Sequence, residues 1–454
     1  MESPRTDADE CEFISRSVQI SPPSFRSTLT HAAHPRTLWS DPDGSTVVGS
    51  GAAATLVANG SDRVNTIRAD AESLFSSGDV HAGTEAARPR LFGGFSFHTE
   101  SATDASWEGF PSAKFVFPRV QVTWPDPAKD AAWLTVNAAC SDSTADDVER
   151  LLRHKQSQIE ALDTVNPLGS PPGISARQRT TQKADWRTGV TAALGRIDSG
   201  ELQKVVLAQA LRVTLHQPVQ LADILKRLAT RYSRCYQFMI EPQSGMNPQK
   251  AFIGATPERL ISVRGRTVRT GALAGTTGRG ETPAEDEWLA KELLKDEKNA
   301  HEHELVAETI CQQLQPFVSS ISAEPREVQR LATVQHLRTP INATLSRDEH
   351  VLSLVESLHP TPAVGGVPPS AALETIRETE PFDRGWYAAP VGWIDAAGNG
   401  TFAVALRSAL ATQEQATLFA GVGIVNNSNP DREWEEMQLK FRPILDTLEA
   451  ESIE

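Results

Sequence analysis

The sequence predicts an α+β fold built mainly on antiparallel sheets, and three observations carry that prediction. Apolar and polar residues alternate over short runs broken by turn dipeptides such as Asn59-Gly60, the pattern of strands with one buried face. Longer stretches carry helical periodicity, but strands and helices do not alternate regularly, which argues against a parallel βαβ sheet. No period of about 20–50 residues recurs, so the chain is not a repeat array.

Taken in order, residues 1–35 are polar and carry Pro22 and Pro23, the mark of a loose, disordered start. From Leu38, apolar patches separated by Asp43-Gly44 and Asn59-Gly60 read as strands and turns. Residues 90–97 form a strand in which Gly93 and Gly94 imply close approach of another backbone. Residues 145–162 form a helix capped by Thr144. A polar linker over 163–182 divides an N-terminal half (36–162) from a denser half (183–454). In that second half, helices are expected at 186–197, 285–314 and 430–450, and strands at 202–215, 251–263, 267–274, 387–395, 400–412 and 415–425.

At 454 residues the chain can bury a large core without disulfide or metal staples. Its 39% hydrophobic and 22% charged residues are those of a soluble globular protein. A formal charge of −14 argues against nucleic acid as a partner, because neutralising phosphates needs a basic face. No apolar run reaches the length of a membrane span, and the acidic N-terminus lacks the basic-then-apolar pattern of a signal peptide. Cys11, Cys140, Cys235 and Cys311 form neither a CxxC pair nor a disulfide framework, so free thiols in a reducing cytoplasm are expected.

Two helices carry carboxylates where apolar side chains belong. Glu302 falls in the middle of the face made by Leu305, Val306 and Thr309. Desolvating a carboxylate is costly, so either a local ion pair or an interior cation must meet it. In the last helix Asn429 is the N-cap, Pro430 suits the first position and Asp431 complements the dipole. Trp434, Met437, Phe441, Ile444 and Leu448 form its apolar stripe, bordered by Glu433, Glu436 and Lys440. Alone that border is a solvated rim with an ordinary Glu436–Lys440 pair; beside Glu302 it is a candidate oxygen site for a hard cation. Mg²⁺ suits such a site, being held typically by one or two carboxylates plus substrate oxygens and water. Zinc does not: His301 and His303 point in different directions on a helix, and HEHEL is not HExxH.

Two strands set cations over small residues. Lys204 shares a face with Val206, Ala208 and Ala210, and Arg407 with Ala403, Ala405 and Ala409. An edge lysine is ordinarily solvated or a guard against aggregation; an arginine over an alanine floor has a rigid fork that matches a carboxylate bidentately. The glycines of GATPERL (254–260) and TGALAGTTGRG (270–280) permit close approach of a ligand, and AGVGIV (420–425) offers backbone N–H groups to an anion. Walker and dinucleotide-binding spacings are missing, as is a GxSxG elbow. Together these residues describe a pocket for a small polyanion.

In these same segments the chain resembles the chorismate-utilising enzymes, a family that includes isochorismate, salicylate and anthranilate synthases. The matching stretches are KVVLAQ, GATPERLISV, TGALAGT, KNAHEHELV, VQHL, LHPTPAVGG, RGWYAAPVGWID, FAVALRSA and AGVGIVNNSNPDREWEEMQLKF, in family order from about residue 186 to 441. LFGGFSF, with Trp107 and Phe110, is similar to the family's weaker N-terminal half. The resemblance implies one large α+β domain of two packed antiparallel sheets with flanking helices, as in anthranilate synthase component I. It implies that Glu302 and Glu436 hold Mg²⁺ against the ring carboxylate of chorismate, with Glu433 supporting through water. Arg407 and Tyr387 would bind the enolpyruvyl carboxylate, helped by the Gly421 backbone. Lys440 would sit near the metal, and His336, Gly275 and Ala363 beside the substrate. Asn299 stands where many relatives carry an acid, so no second acidic group is implied one turn before Glu302.

Three features discriminate within the family. Lys204 stands where isochorismate and salicylate synthases carry their general base and ammonia users typically carry Gln. Ala274 replaces the lysine of the PIKGT-like motif of aminodeoxychorismate synthases. Neither a glutaminase segment nor an LLES-like motif is found. Water is therefore the implied nucleophile, with no glutaminase partner and a monomer as the expected state. Lys204 would deprotonate water for attack at ring carbon 2, and Glu258 would protonate the hydroxyl leaving carbon 4, so Glu258 needs an elevated pKa. Without the motif, Glu258 would be read as a salt bridge to Arg259. Ala363, often threonine in salicylate synthases, points to isochorismate as the product. Salicylate synthase is the alternative, and an ammonia-using synthase component the more distant one. Menaquinone, catechol siderophores and salicylate all stay open as the product's destination.

Overall fold

The structure, a computed structural model, describes residues 12–42, 44–102, 104–126, 130–162, 167–242 and 250–449. The alternating β-branched and aromatic runs form strands. These are β1 (Phe13–Ile20), β2 (Arg36–Ser40), β3 (Thr46–Ala58), β4 (Gly78–His81), β5 (Arg90–Phe95), β6 (Ala113–Trp124), β7 (Ala132–Ala139), β8 (Ile174–Arg179), β9 (Lys204–Leu215), β10 (Tyr236–Ile240), β11 (Ala251–Thr256), β12 (Arg259–Arg264), β13 (Thr267–Gly278), β14 (Val318–Ala323), β15 (Glu327–Arg330), β16 (Val334–Leu345), β17 (Gly366–Val367), β18 (Pro390–Asp395), β19 (Gly400–Val404), β20 (Ser408–Ala411) and β21 (Gln415–Val425). The helices are α1 (Phe25–His31), α2 (Arg63–Phe75), α3 (Ala145–Glu160), α4 (Lys183–Asp198), α5 (Leu221–Arg231), α6 (Pro283–Lys295), α7 (Glu297–Leu314), α8 (Val351–Leu358), α9 (Pro369–Thr379) and α10 (Pro430–Leu448).

Every pairing among the described strands is antiparallel except β1 with β4, as expected for an α+β fold. The long β3–β6 pair is the corner from which two sheets leave. One runs from β6 through β5, β18, β19, β12 and β13 to β16, with β14 and β15 on its far edge. The other runs from β3 through β2, β10, β11, β20 and β21 to β9, with β8 and β17 beyond. Close approach at β5 needs glycine, since a Cβ on Gly93 would stand 1.9 Å from the Lys114 carbonyl. One hydrophobic core reaches from Phe13 to Leu448, drawing on both halves of the chain. A smaller one, around Leu134 and Val136, is covered by Val148 of α3, whose N-cap is Thr144 in a capping box.

Several expectations need correcting. The loose start is ordered as β1 and α1 over much of its length, and β8 lies within the expected linker; residues 1–11, 43 and 163–166 lie outside the described residues. The single helix expected at 285–314 is two, because Asp296 takes an extended conformation and caps α7 by accepting from Asn299 N–H. The strand expected at 251–263 breaks at Pro257-Glu258, where proline removes a ladder donor. The strand expected at 400–412 breaks at Ala405–Arg407, where Arg407 adopts a left-handed φ of 47°. Cys235 and Cys311 are free, but Cys140 is disulfide-bonded, against the expectation of four free thiols. The cause is strand pairing: Phe13 stands opposite Ala139, and Cys140 N–H donates to the Glu12 carbonyl, a meeting of distant residues that spacing does not reveal.

Candidate active site

Both broken strands are places where the chain crosses from one sheet to the other. The first crossing joins β11 to β12 and carries Glu258; the second joins β19 to β20 and carries Arg407. They are tied side by side, with Val404 N–H donating to Glu258 O and Ala255 N–H to Arg407 O. Above them a cavity opens between the sheets. It is lined by Leu273, Ala274, Gly275 and His336 from one sheet and Val206, Phe419, Gly421 and Gly423 from the other, with Ala363 and Tyr387 at its side. Glu302 and Glu436 reach it from α7 and α10, together with Lys440. Of the residues expected to act, only Lys204 and Glu433 do not line it; Lys204 stands behind Glu302, and Glu433 is held by Lys298.

Lys204 is fully buried, and its Nζ lies 2.8 Å from Glu302 Oε1. Gly423, which sequence reasoning did not single out, makes that pair possible. A Cβ there would stand 2.3 Å from Glu302 Oε1 and 3.1 Å from Lys204 Cε. On α7 the deepest stripe is His303, Val306 and Ile310, while Glu302 sits beside it facing the cavity. Of the two readings of the misplaced carboxylate, the interior cation is realised: the partner is the buried Lys204 of β9 and not a neighbour on α7. His301 is exposed and His303 is buried, with Nε2 2.8 Å from Thr339 Oγ1. Burial would raise the Glu302 carboxyl, but Lys204, Lys440 and Lys298 hold it below the usual glutamate range.

The other two acids also have lysine partners. Lys440 Nζ lies 2.8 Å from Glu436 Oε1 and donates to the Gly421 carbonyl at 2.9 Å. Glu433 is buried, and Lys298 Nζ lies 2.6 Å from its Oε1. Burial pushes the Glu433 carboxyl up, and the nearby Glu436 adds to this against the pull of Lys298. Lys298 is a second residue the sequence reading missed; its place one helical turn before Glu302 was the available signal. Among the described residues no three ligand side chains converge into a ready metal cluster. The donor set fits Mg²⁺ nonetheless, because two hard carboxylates from separate helices line one cavity and this ion takes its remaining ligands from substrate and water.

Glu258 is buried in the cavity wall, and desolvation raises its carboxyl to about 7 against the charges of Lys204, Arg407 and Lys440. It is thus no salt-bridge partner of Arg259, whose Nε donates to Tyr236 Oη. The Arg407 guanidinium is buried and meets Cys235 as well as His336, yet one of its nitrogens is left over. Nη2 donates to His336 Nε2 at 2.6 Å, while Nη1 makes no hydrogen bond among the described residues. Burial and the charges of Arg407 and Lys440 keep His336 neutral, so its other nitrogen carries the proton and donates to Thr276 Oγ1 at 3.0 Å. An unpaired buried guanidinium N–H is costly unless an anion meets it. Tyr387 stacks on Phe419 with centroids 5.3 Å apart, and a Cβ on Gly421 would stand 2.9 Å from its hydroxyl. Trp107 stacks on the same Phe419, so the N-terminal half supports the floor of the site.

Comparisons with known proteins agree with this geometry. The model of the chorismate binding enzyme family matches residues 5–449. The chain is 37% identical over 429 residues to isochorismate synthase MenF of Bacillus subtilis (strain 168), an alignment covering 92% of this chain and 88% of that one. It is 37% identical over 376 residues to the salicylate biosynthesis isochorismate synthase of Pseudomonas aeruginosa, covering 80% and 75%. The solved structure of MenF, the menaquinone-specific isochorismate synthase from Escherichia coli, matches with a TM-score of 0.78 and 27% identity over 96% of this chain and 95% of that one. Anthranilate synthase component I from Streptococcus pneumoniae matches with a TM-score of 0.72 at 19% identity over 98% and 93%, a likeness of fold alone. The fold, the cavity and these matches lead to one statement: the chain belongs to the chorismate-binding enzyme family.

Proposed function

We propose that this protein is a Mg²⁺-dependent isochorismate synthase that converts chorismate reversibly to isochorismate. The observation that carries the reading is a buried lysine and a buried acid serving one cavity: Lys204 against Glu302, and Glu258 held near neutrality. The two full-length relatives described above bear isochorismate synthase in their names.

The chemistry follows from these side chains. Glu302 and Glu436 would hold Mg²⁺, with Glu433 behind them; when bound, the ion screens the ring carboxylate and fixes the ring. Arg407 Nη1 would donate to the enolpyruvyl carboxylate, its missing partner, with Tyr387 and the Gly421 backbone beside it and His336 fixing the guanidinium. Lys204 takes a proton from water, and that water's oxygen bonds to ring carbon 2. Glu258 gives its proton to the hydroxyl leaving carbon 4 as the double bonds shift. One water enters and one leaves, so the reaction is an isomerisation. Gly275 and Ala363 shape the wall, and alanine at 363 leaves the enolpyruvyl group in place. No helix among the described residues is long and apolar enough to cross a membrane. We take the protein to act as a cytoplasmic monomer without a glutaminase subunit, which light scattering tests directly.

Incubating purified protein with chorismate and Mg²⁺ and resolving the products by chromatography tests the reading. Isochorismate supports it. Salicylate with pyruvate would transfer the protein to the salicylate synthases, and anthranilate on adding ammonia would overturn Lys204 as the discriminator.

A further inference from the structure

β9 is supported unevenly along its outer edge. β17 covers Lys204 and Val205, and β8 covers residues from Leu211 onward. Between them this edge has no neighbouring strand among the described residues, yet its backbone groups are buried and need partners. Val206 N–H donates to the Gly365 carbonyl, and Thr180 serves Ala210. Two more of these groups are met by an ion pair. Arg384 Nη2 donates to Val206 O at 2.8 Å, and Glu380 Oε1 accepts from Ala208 N–H at 2.8 Å.

The pair itself is bidentate and almost wholly dry. Arg384 Nε lies 2.8 Å from Glu380 Oε2 and Nη2 2.5 Å from Oε1, with both side chains at most 3% exposed. The third nitrogen, Nη1, donates to Val364 O at 2.8 Å, next to Ala363. The guanidinium lies 4.3 Å over the Phe97 ring, and Tyr387 N–H donates to Arg384 O. One buried charge pair therefore reaches the Lys204 strand, the Ala363 turn and the Tyr387 backbone at once. Burying two charges is a poor way to gain stability, since well-packed apolar residues do as well. What the pair supplies instead is fixed geometry.

We propose that Arg384 and Glu380 are positioning residues, a side-chain substitute for a missing strand that sets where Lys204 and the Ala363 turn stand relative to the substrate. The proposal rests on the reading of Lys204 as the base. Arg384→Lys keeps the charge but cannot make the bidentate pair and both carbonyl contacts. It should lower kcat roughly 10–100-fold, the scale of a misplacement of about an ångström, with KM changed less than about threefold and the far-UV spectrum unchanged. In Arg384→Ala, guanidinium ion should restore part of kcat, because Glu380 and Arg384 also line an open cavity on the far side, with Arg377 and Asp383. Amide exchange at Ala208 should quicken in every variant that disturbs the pair.

A folded Arg384→Lys protein with wild-type kcat and wild-type exchange at Ala208 overturns the proposal. Should that variant fail to fold, Glu380→Gln takes its place: it keeps an acceptor for Ala208 and removes the charge, and unchanged kcat there overturns the proposal equally. A wild-type protein that makes no isochorismate sinks the function reading instead, and amide exchange then decides the clamp alone.

Discussion

The paired strands β9 and β21 and the two sheet crossings contribute to the same cavity by opposite means. β9 and β21 run unbroken in antiparallel register, with Lys204 opposite Val425 and Ala208 opposite Gly421. Their contribution follows from simple alternation, which a sequence displays. The crossings work by failing to be strands. Pro257 interrupts one, a left-handed Arg407 interrupts the other, and each break turns a charged side chain into the gap between sheets. A continuous strand pair thus supplies precise height above a floor, and a break supplies direction.

The comparison can be attacked at both ends. The largest effect is expected on the strand pair: Lys204→Ala should reduce kcat by roughly 10³-fold, within the usual range for a proton-transfer residue, while thermal melting shows an intact fold. An active Lys204→Ala protein would remove the base from the scheme. At the crossing, Arg407→Gln should raise KM for chorismate by roughly 10–100-fold, the size of a charge-assisted hydrogen bond, with a smaller change in kcat. Equal losses in both constants would mean that the guanidinium acts on the transition state.

Smaller effects separate geometry from chemistry. Gly423→Ala removes no reacting group, yet its methyl would collide with Glu302 Oε1 and press on Lys204 Cε. It should lose roughly 1–3 kcal/mol in denaturant melts and weaken Mg²⁺ dependence in titrations of activity. Glu302→Gln and Glu436→Gln should weaken the same dependence, and unchanged magnesium titrations in both would remove the metal site.

Glu258 gives a test by pH. Burial holds its carboxyl at about 7, above its value in an unfolded chain, so the folded state binds that proton more tightly. The stabilisation is complete below the ordinary glutamate range and is lost as pH rises through that range to about 7. Glu258→Gln should therefore be more stable than wild type near about pH 8, by roughly 3 kcal/mol, with no advantage near about pH 4, while its isomerase activity disappears. The wild-type rate should fall as pH climbs past about 7 and the acid is lost.

How much was legible in the sequence follows the same division. Alternation located Lys204 over its alanines, and helical spacing located Glu302, Glu433, Glu436 and Lys440, because those signals are local. Continuous strands drawn through 251–263 and 400–412 were wrong at the residues that matter. A proline and a positive φ interrupt a pattern that hydrophobicity alone leaves whole. Asp296 split a helix for the same reason, since an aspartate that caps a second helix looks like a charge within a longer one. Gly423 and the Arg384–Glu380 pair were not legible, as their meaning lies in contacts with distant elements, and Lys298 showed only its helical spacing from Glu302. The resemblance supplied the role of Glu258, and burial supplies a physical reason for it.

The lysine partners of the three glutamates have a consequence for how substrate arrives. Each acid already has an ammonium within 2.6–2.8 Å, so from a distance these pairs cancel and project little field. A dianion approaching the mouth meets chiefly the −14 charge of the whole chain, which repels it. Added salt screens that repulsion, so encounter should quicken with ionic strength, the reverse of a cationic funnel. Attraction begins only near contact, where the buried Arg407 guanidinium still has an unsatisfied Nη1 to offer.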